Sequence, residues 1–326
     1  MKTFVLLTLI LTSTFLYGQQ KSAVDDHGQL KVQNGQILDK NNKPPQLRGI
    51  SMSWSIWQGQ KYYNPEVITW LQQDFNATVI RLAMGIEPDG GYLKSPLMQK
   101  QLITNSVDAA IAKGMYVLID WHDHLANKNQ EESLLFFTEM AKKYSGKKNV
   151  IYEIFNEPTR IDWKVIKAYS IALIKAIRKY DKQNLIVVGS PAWDQDVDIV
   201  AKSPIIGFQN IAYSFHFYAS DPNHQEVLMK KADVAIAAGL PLFVTEWGVG
   251  EADGNGIFDL SKTNNWLQWM EKNKLSWVNW NITDKKETTA LLNRGASIQG
   301  KWSAEQLTPA GKYIREKLKE LNSNST

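Results

Sequence analysis

Ile151-Tyr152-Glu153-Ile154-Phe155-Asn156-Glu157-Pro158 and Pro241-Leu242-Phe243-Val244-Thr245-Glu246-Trp247-Gly248 decide the fold. Each is an apolar, β-branched and aromatic run that ends in a carboxylate and then a breaker, Pro158 or Gly248. Apolar runs of this length read as buried strands. A glutamate at the end of such a strand leaves the ladder where the sheet meets a loop, and in parallel α/β folds the reactive groups gather at the carboxyl ends of strands. Glu157 and Glu246 can therefore face one cleft. Acetal hydrolysis uses such a pair: one carboxyl protonates the leaving oxygen, and the other attacks the anomeric carbon or activates water.

Outward from these two runs the chain alternates. Strand patterns fall at 47–51, 77–83, 116–121, 150–156, 185–189, 211–217, 242–246 and 276–281, with helical patterns near 65–75, 97–113, 131–144, 163–180, 195–201, 225–238, 261–272 and 309–321. Eight strands alternating with eight helices is the count of a (β/α)8 TIM barrel. A doubly wound open sheet, the other βα solution, wants a Gly-rich first turn, and Gly49-Ile50-Ser51-Met52 is not one. With no linker, repeat or composition shift, residues 47–321 read as a single catalytic barrel. Residues 19–46 form an N-terminal segment with a small hairpin that turns at Asn34-Gly35 and caps one end of the barrel. Residues 322–326 read as a disordered polar tail.

Composition narrows the function. A net charge of +4 without a basic tract argues against nucleic-acid or anionic-membrane partners. Residues 1–18 have the form of a signal peptide: Lys2, an apolar run from Phe4 to Leu11 and again from Phe15 to Tyr17, and small Gly18 before Gln19. Interrupted by Thr12, Ser13 and Thr14, the run is too short for a transmembrane anchor. With no Cys there is neither a disulfide framework nor a lipidated Cys, which suits a secreted or periplasmic bacterial protein that leaves the membrane after cleavage. Twelve Trp are many, and flat sugar faces stack on them.

Functional residue types crowd one rim. The successive strand ends carry Trp54 and Trp57, then Arg81, Asp120-Trp121-His122-Asp123-His124, Asn156-Glu157, Trp193, His216-Phe217-Tyr218, Glu246-Trp247 and Trp280-Asn281. At the opposite ends stand Asn149, Gln183, Asn210 and Lys274, which read as ordinary solvent-facing residues. Glu153 shares strand parity with Glu157 but lies deeper, as a structural carboxylate. Asn156 and Glu157 are neighbours, so both reach the cleft only if the strand has already curled. His122 and His124 place two rings on one face, an arrangement that metal-dependent barrel hydrolases also use, with His27, His216 and His224 left to complete a site.

Leu47-Arg48-Gly49, Val79-Ile80-Arg81, Asp120-Trp121-His122, Phe155-Asn156-Glu157-Pro158, His216-Phe217-Tyr218, Val244-Thr245-Glu246-Trp247-Gly248 and Trp277-Val278-Asn279-Trp280 occur in order. Together they resemble glycoside hydrolase family 5, the cellulase-like retaining glycosidases. The bacterial endo-β-1,4-glucanase branch is indicated by Trp193-Asp194-Gln195-Asp196-Val197, Ala252-Asp253-Gly254-Asn255-Gly256 and Asp284-Lys285. The resemblance implies that Glu157 is the general acid/base, with a raised pKa, and that Glu246 is the ionised nucleophile, with Arg81 and Tyr218 donating to it. It implies that Asn156 binds the sugar 2-hydroxyl and that His122 and His216 bind sugar where cleavage occurs. Trp280 would floor that subsite, through a cis peptide to Asn281. Trp193 and Trp57 would be stacking platforms and Lys285 a hydroxyl donor, while His124 has no assigned role. Ser53-Trp54 stands where many relatives carry a His. The implied enzyme is a monomer without metal or organic cofactor, acting on a β-glucan polysaccharide or cello-oligosaccharide. The alternatives are a glycanase acting on mannan, mixed-linkage glucan or xyloglucan, a non-catalytic carbohydrate-binding barrel, and the metal-dependent hydrolase.

Overall fold

The computed structural model describes residues 22–323, so the expected signal segment at 1–18 lies outside the described residues. A short helix α1 (Ala23–His27) precedes the hairpin strands β1 (Lys31–Gln33) and β2 (Gln36–Leu38), which pair antiparallel around Asn34 and Gly35, both in the left-handed region. The barrel strands are β3 (Arg48–Met52), β4 (Val79–Gly85), β5 (Tyr116–His122), β6 (Val150–Glu153), β7 (Ile186–Val188), β8 (Ile211–Tyr218), β9 (Leu242–Gly248) and β10 (Trp277–Ile282). They close into one cylinder, β10 pairing with both β9 and β3, and every pairing is parallel. Around it lie α2 (Pro65–Asp74), α3 (Pro96–Ala112), α4 (Gln130–Tyr144), α5 (Trp163–Arg178), the short turns α6 (Pro191–Asp194) and α7 (Val197–Ala201), then α8 (Glu226–Ala237), α9 (Leu260–Lys272) and α10 (Pro309–Ser323). The expected (β/α)8 barrel is the observed fold.

Local chemistry starts these helices where the loops require. Asn64 accepts from Val67 N–H ahead of Pro65, and Asp162 and Asp259 do the same for α5 and α9. One apolar layer fills the space between strands and helices. A second fills the lower barrel, where Leu30 and Ile37 of the hairpin segment join Val79, Tyr116, Phe243 and Val278. The hairpin is thus a stopper at the amino ends of the strands.

The structure departs from expectation in four places. β6 ends at Glu153, not at 156, because its neighbour β7 is only three residues long and the chain then bends so that Asn156 N–H donates to Trp121 O (3.2 Å). The helix expected over 195–201 begins only at Val197, after a separate turn at 191–194. α10 continues to Ser323, so Asn322 and Ser323 are not tail: the Asn322 amide donates to Asn76 O (2.8 Å) and Arg48 O (3.3 Å), fastening the helix end to the barrel. Asn149 and Asn210 are structural rather than solvent-facing, since Asn149 is buried and donates to Met115 O (2.7 Å) while Asn210 accepts from Val32 N–H (3.0 Å).

Because Leu30 is only 1% exposed in the lower core, Leu30→Ala should destabilise the protein by about 2–4 kcal/mol. Calorimetric unfolding should show this loss, while the near-ultraviolet circular dichroism of the folded state should stay unchanged.

Candidate active site

The two glutamates that end the defining runs meet at the carboxyl mouth of the barrel. One oxygen of Glu157, one of Glu246 and one nitrogen of His216 lie within 4.8 Å of one another. Glu246 is placed by the regular ladder of β9 and is 3% exposed. Glu157 is placed by the bend after β6, where its own φ is 49°. That bend is possible because residue 189 is glycine: a Cβ there would stand 2.4 Å from Phe155 O and 2.9 Å from the Pro158 ring. The curled strand end anticipated from the adjacency of Asn156 and Glu157 is therefore present, and a close approach at Gly189 makes the room for it.

Beneath the pair lies Arg81, fully buried. Its guanidinium donates to Glu246 Oε2 (2.7 Å), Glu153 Oε2 (2.7 Å) and Asn156 Oδ1 (2.6 Å), and Asp120 Oδ2 lies 2.9 Å away. Burial alone would ease the proton off, but Asp120, Glu153 and Glu246 hold it well above the usual range. For Glu153 burial raises the carboxyl, yet Arg81 and His216 outweigh that and hold it down at about 2, so it is the structural carboxylate expected. Tyr218 donates to Glu246 Oε1 (2.6 Å), and burial together with Glu246 keeps that phenol protonated. Both oxygens of Glu246 are thus gripped by donors, as anticipated for Arg81 and Tyr218.

Glu157 departs from expectation. Burial raises its carboxyl, but the hydrogen bond and charge of His216, with His124 and Arg81 behind them, draw it net below the usual value. Burial and the charge of Glu157 instead push Glu246 up against Arg81. The physical reason is His216, whose Nδ1 is 3.1 Å from Glu157 Oε1 and whose own proton is held, despite burial, by Asp194, Glu153 and Glu157. The contact between them thus favours the proton on the imidazole over the Glu157 carboxyl. His216 also departs from its expected role as a sugar contact. Its Nε2 is 2.8 Å from Thr245 Oγ1, so both ring nitrogens are engaged by protein.

The other anticipated residues are distributed along one cleft. A lobe of about 670 Å3 is lined by Trp54, Trp57, His122, Trp280 and Lys285, and a second of about 410 Å3 by Trp193, His216 and His224. His124, Glu157 and Tyr218 line both lobes. Trp57 is 64% exposed, and Lys285 Nζ pairs with Glu287 at 2.7 Å. His122 Nδ1 is 2.7 Å from Asp120, and its ring stacks on Trp280 with centroids 5.3 Å apart and planes 7° apart. Burial and Arg81 lower its pKa well below the usual, so it is a neutral group. The Trp280–Asn281 peptide is cis. Asn156 lies behind the cleft surface with its Oδ1 on Arg81 and its Nδ2 buried without a protein partner, a donor that suits a hydroxyl.

His122 and His124 do not converge: the first is held on Asp120, and the second has Nε2 3.5 Å from Glu157 Oε2. Among the described residues the three-donor cluster is Glu157, His216 and Glu246. A dication there would sit beside the Arg81 guanidinium and compete with the Thr245 and Tyr218 bonds, a poor donor set for a metal. Trp54, Asp120, His124, Thr245 and Asp194 belong to the site although no role was anticipated for them. A signal existed for Asp120 and Trp54, which stand at strand ends. The bonds that bring in Thr245 and Asp194 depend on tertiary geometry.

Known proteins resemble this chain in sequence and in fold. A family model described as cellulase (glycosyl hydrolase family 5) matches residues 38–286. Endoglucanase Z of Dickeya dadantii is 42% identical over 285 residues, 86% of this chain and 64% of that protein, so the chain spans just under two thirds of its length. An endoglucanase of Clostridium saccharobutylicum is 39% identical, with 98% of this chain and 71% of that protein covered. Among solved structures, one from Cytophaga hutchinsonii superposes with a TM-score of 0.90 at 43% identity, covering 93% of this chain and 98% of that one. The catalytic domain of Thermobifida fusca endoglucanase Cel5A, solved with cellotetraose, superposes with a TM-score of 0.87 at 31% identity, covering 92% and 100%.

Arg81 is the cation set against several buried carboxyls, so removing it leaves their charge uncompensated. Arg81→Met should lower the unfolding free energy by about 3–5 kcal/mol. Glu246→Gln, which relieves a carboxylate crowded by Glu157, should leave the melting temperature unchanged or raised. Denaturant unfolding of the two variants side by side checks the contrast.

Proposed function

Because the chain belongs to glycosyl hydrolase family 5 and is a glycoside hydrolase, we propose that it is an endo-β-1,4-glucanase acting by double displacement. The observation that carries the mechanism is the approach of the Glu157 and Glu246 carboxyls to within 4.8 Å. Retaining glycosidases hold the pair about 5–5.5 Å apart, whereas inverting ones leave room for a water between more distant carboxyls.

In this reading Glu246 attacks the anomeric carbon. Arg81 and Tyr218 hold its two oxygens in place and bear part of its charge until the covalent bond forms. Glu157 delivers a proton to the leaving oxygen. With His216 Nδ1 at 3.1 Å, that proton comes from the pair as substrate closes the cleft, and it returns when Glu157 deprotonates the incoming water. Asn156 offers its free amide hydrogens to the 2-hydroxyl, and His122 presents Nε2 to the same ring. Trp57, Trp280 and Trp193 supply aromatic faces along the two lobes, and Lys285 a donor at one end. The substrate proposed is an internal β-1,4-glucosidic bond of a soluble or accessible glucan, in keeping with the cellotetraose bound by the Thermobifida enzyme. The leader-like residues 1–18 support export, and we propose a secreted or periplasmic monomer.

Glu246→Ala should lose turnover and regain it with added azide, yielding an α-glycosyl azide detectable by nuclear magnetic resonance. Substantial activity without azide would remove Glu246 from the nucleophile's place. Reducing-sugar release from carboxymethylcellulose, barley glucan, xyloglucan and galactomannan should rank carboxymethylcellulose or barley glucan first. A preference for galactomannan or xyloglucan would reassign the substrate.

A further inference from the structure

We propose that Asp194 is the positioning residue that aims the Glu157 carboxyl and locks it to the Trp193 side of the cleft. The proposal rests on the reading of Glu157 as the acid/base. Ala192, Trp193 and Asp194 have φ of 54°, 58° and 59°, three successive left-handed residues with no glycine among them. Residues with side chains are disfavoured in this region, so something must hold the turn in place.

What holds it is the segment that carries Glu157. Ala192 N–H donates to Thr159 O (2.9 Å) and Trp193 N–H to Pro158 O (2.8 Å). The Asp194 carboxylate then closes the loop from below: its Oδ2 accepts from Glu157 N–H (2.8 Å), and its Oδ1 accepts from Ser190 N–H. Asp194 is fully buried, so these bonds are sheltered from water. The same Oδ2 lies 3.5 Å from His216 Nδ1, the nitrogen that stands 3.1 Å from Glu157 Oε1. One carboxylate therefore fixes Glu157 at both ends, directly through its backbone N–H and through His216 at its side chain.

The consequence is mechanical. Glu157 has left the β6 ladder, and its φ of 49° is not enforced by any strand. Its direction is set by the left-handed turn, and that turn presents Trp193 to the second lobe. The aromatic face and the acid/base therefore move as one piece, with Asp194 as the clasp.

The test uses leaving groups. For aryl β-cellobiosides kcat/KM reports the first displacement. 2,4-Dinitrophenolate departs without a proton, whereas phenolate needs the acid. Asp194→Asn keeps the volume but sets an NH2 group against one of the two backbone N–H donors, and Asp194→Ala removes both acceptors. A misaimed acid should cut kcat/KM for the phenyl glycoside by roughly 100-fold while the dinitrophenyl glycoside loses less than about threefold. Equal losses on both substrates, or no loss on either, would overturn the proposal. If Asp194→Ala does not fold, Asp194→Asn carries the comparison alone. Wild-type protein that fails to cleave either glycoside would instead defeat the glycosidase reading, so the two failures are distinguishable.

Discussion

Arg81 is a cation with no access to water, and the acids of the mouth are arranged around it. It donates to Glu246, Glu153 and Asn156, with Asp120 at 2.9 Å. A guanidinium offers five N–H groups in one rigid plane, which lets a single side chain on β4 fix groups from β5, the end of β6 and β9. Burial of that charge is tolerable only because carboxyl groups stand close against it. Their own burial is tolerable for the reciprocal reason. Glu153 and Asp120 thus have a use although neither lines the cleft. They compensate Arg81 from below, so that its remaining reach can be spent on Glu246 and Asn156.

Around this charged floor stands an aromatic wall. Trp57, Trp54, His122 and Trp280 follow one another, with ring centroids 5.5 Å, 4.2 Å and 5.3 Å apart. Trp54 meets the His122 ring edge-on at 89°, while His122 lies nearly parallel to Trp280. The wall gives His122 a fixed plane, and Asp120 gives it a fixed tautomer. Trp54 lines the cleft and buttresses the neighbouring ring. Apolar packing does the remaining work. The lower barrel is filled by side chains from strands and hairpin alike.

Much of this was written in the chain. The strand runs are apolar and carry their reactive residues at one end, so the barrel and its functional rim follow from periodicity and from a list of residue types. Glu157 and Glu246 could be named because each closes such a run, and Arg81 and Tyr218 because the ordered motifs resemble glycoside hydrolase family 5. The parts that stayed hidden depend on bends. The left-handed turn at 192–194 has no glycine to announce it, so no positioning role is legible for Asp194. His216 reads as a sugar contact because nothing local reveals that Thr245 and Glu157 take both its nitrogens. The direction of the Glu157 pKa was missed for the same reason: it is set by an imidazole 59 residues away in sequence.

The stopper at the far end has a seam of its own. Gly35 of the hairpin turn and Gly239 before β9 are both left-handed, at φ 74° and 80°, and a methyl on Gly35 would stand 2.7 Å from the Gly239 Cα. Backbone meets backbone there, with no pliable side chain between to absorb a bump. The seat is therefore a keyhole cut for hydrogen alone: enlarge residue 35 by one carbon and the plug must ride up, opening the greasy floor of the cylinder to water from below while the sugar-facing lip stays intact.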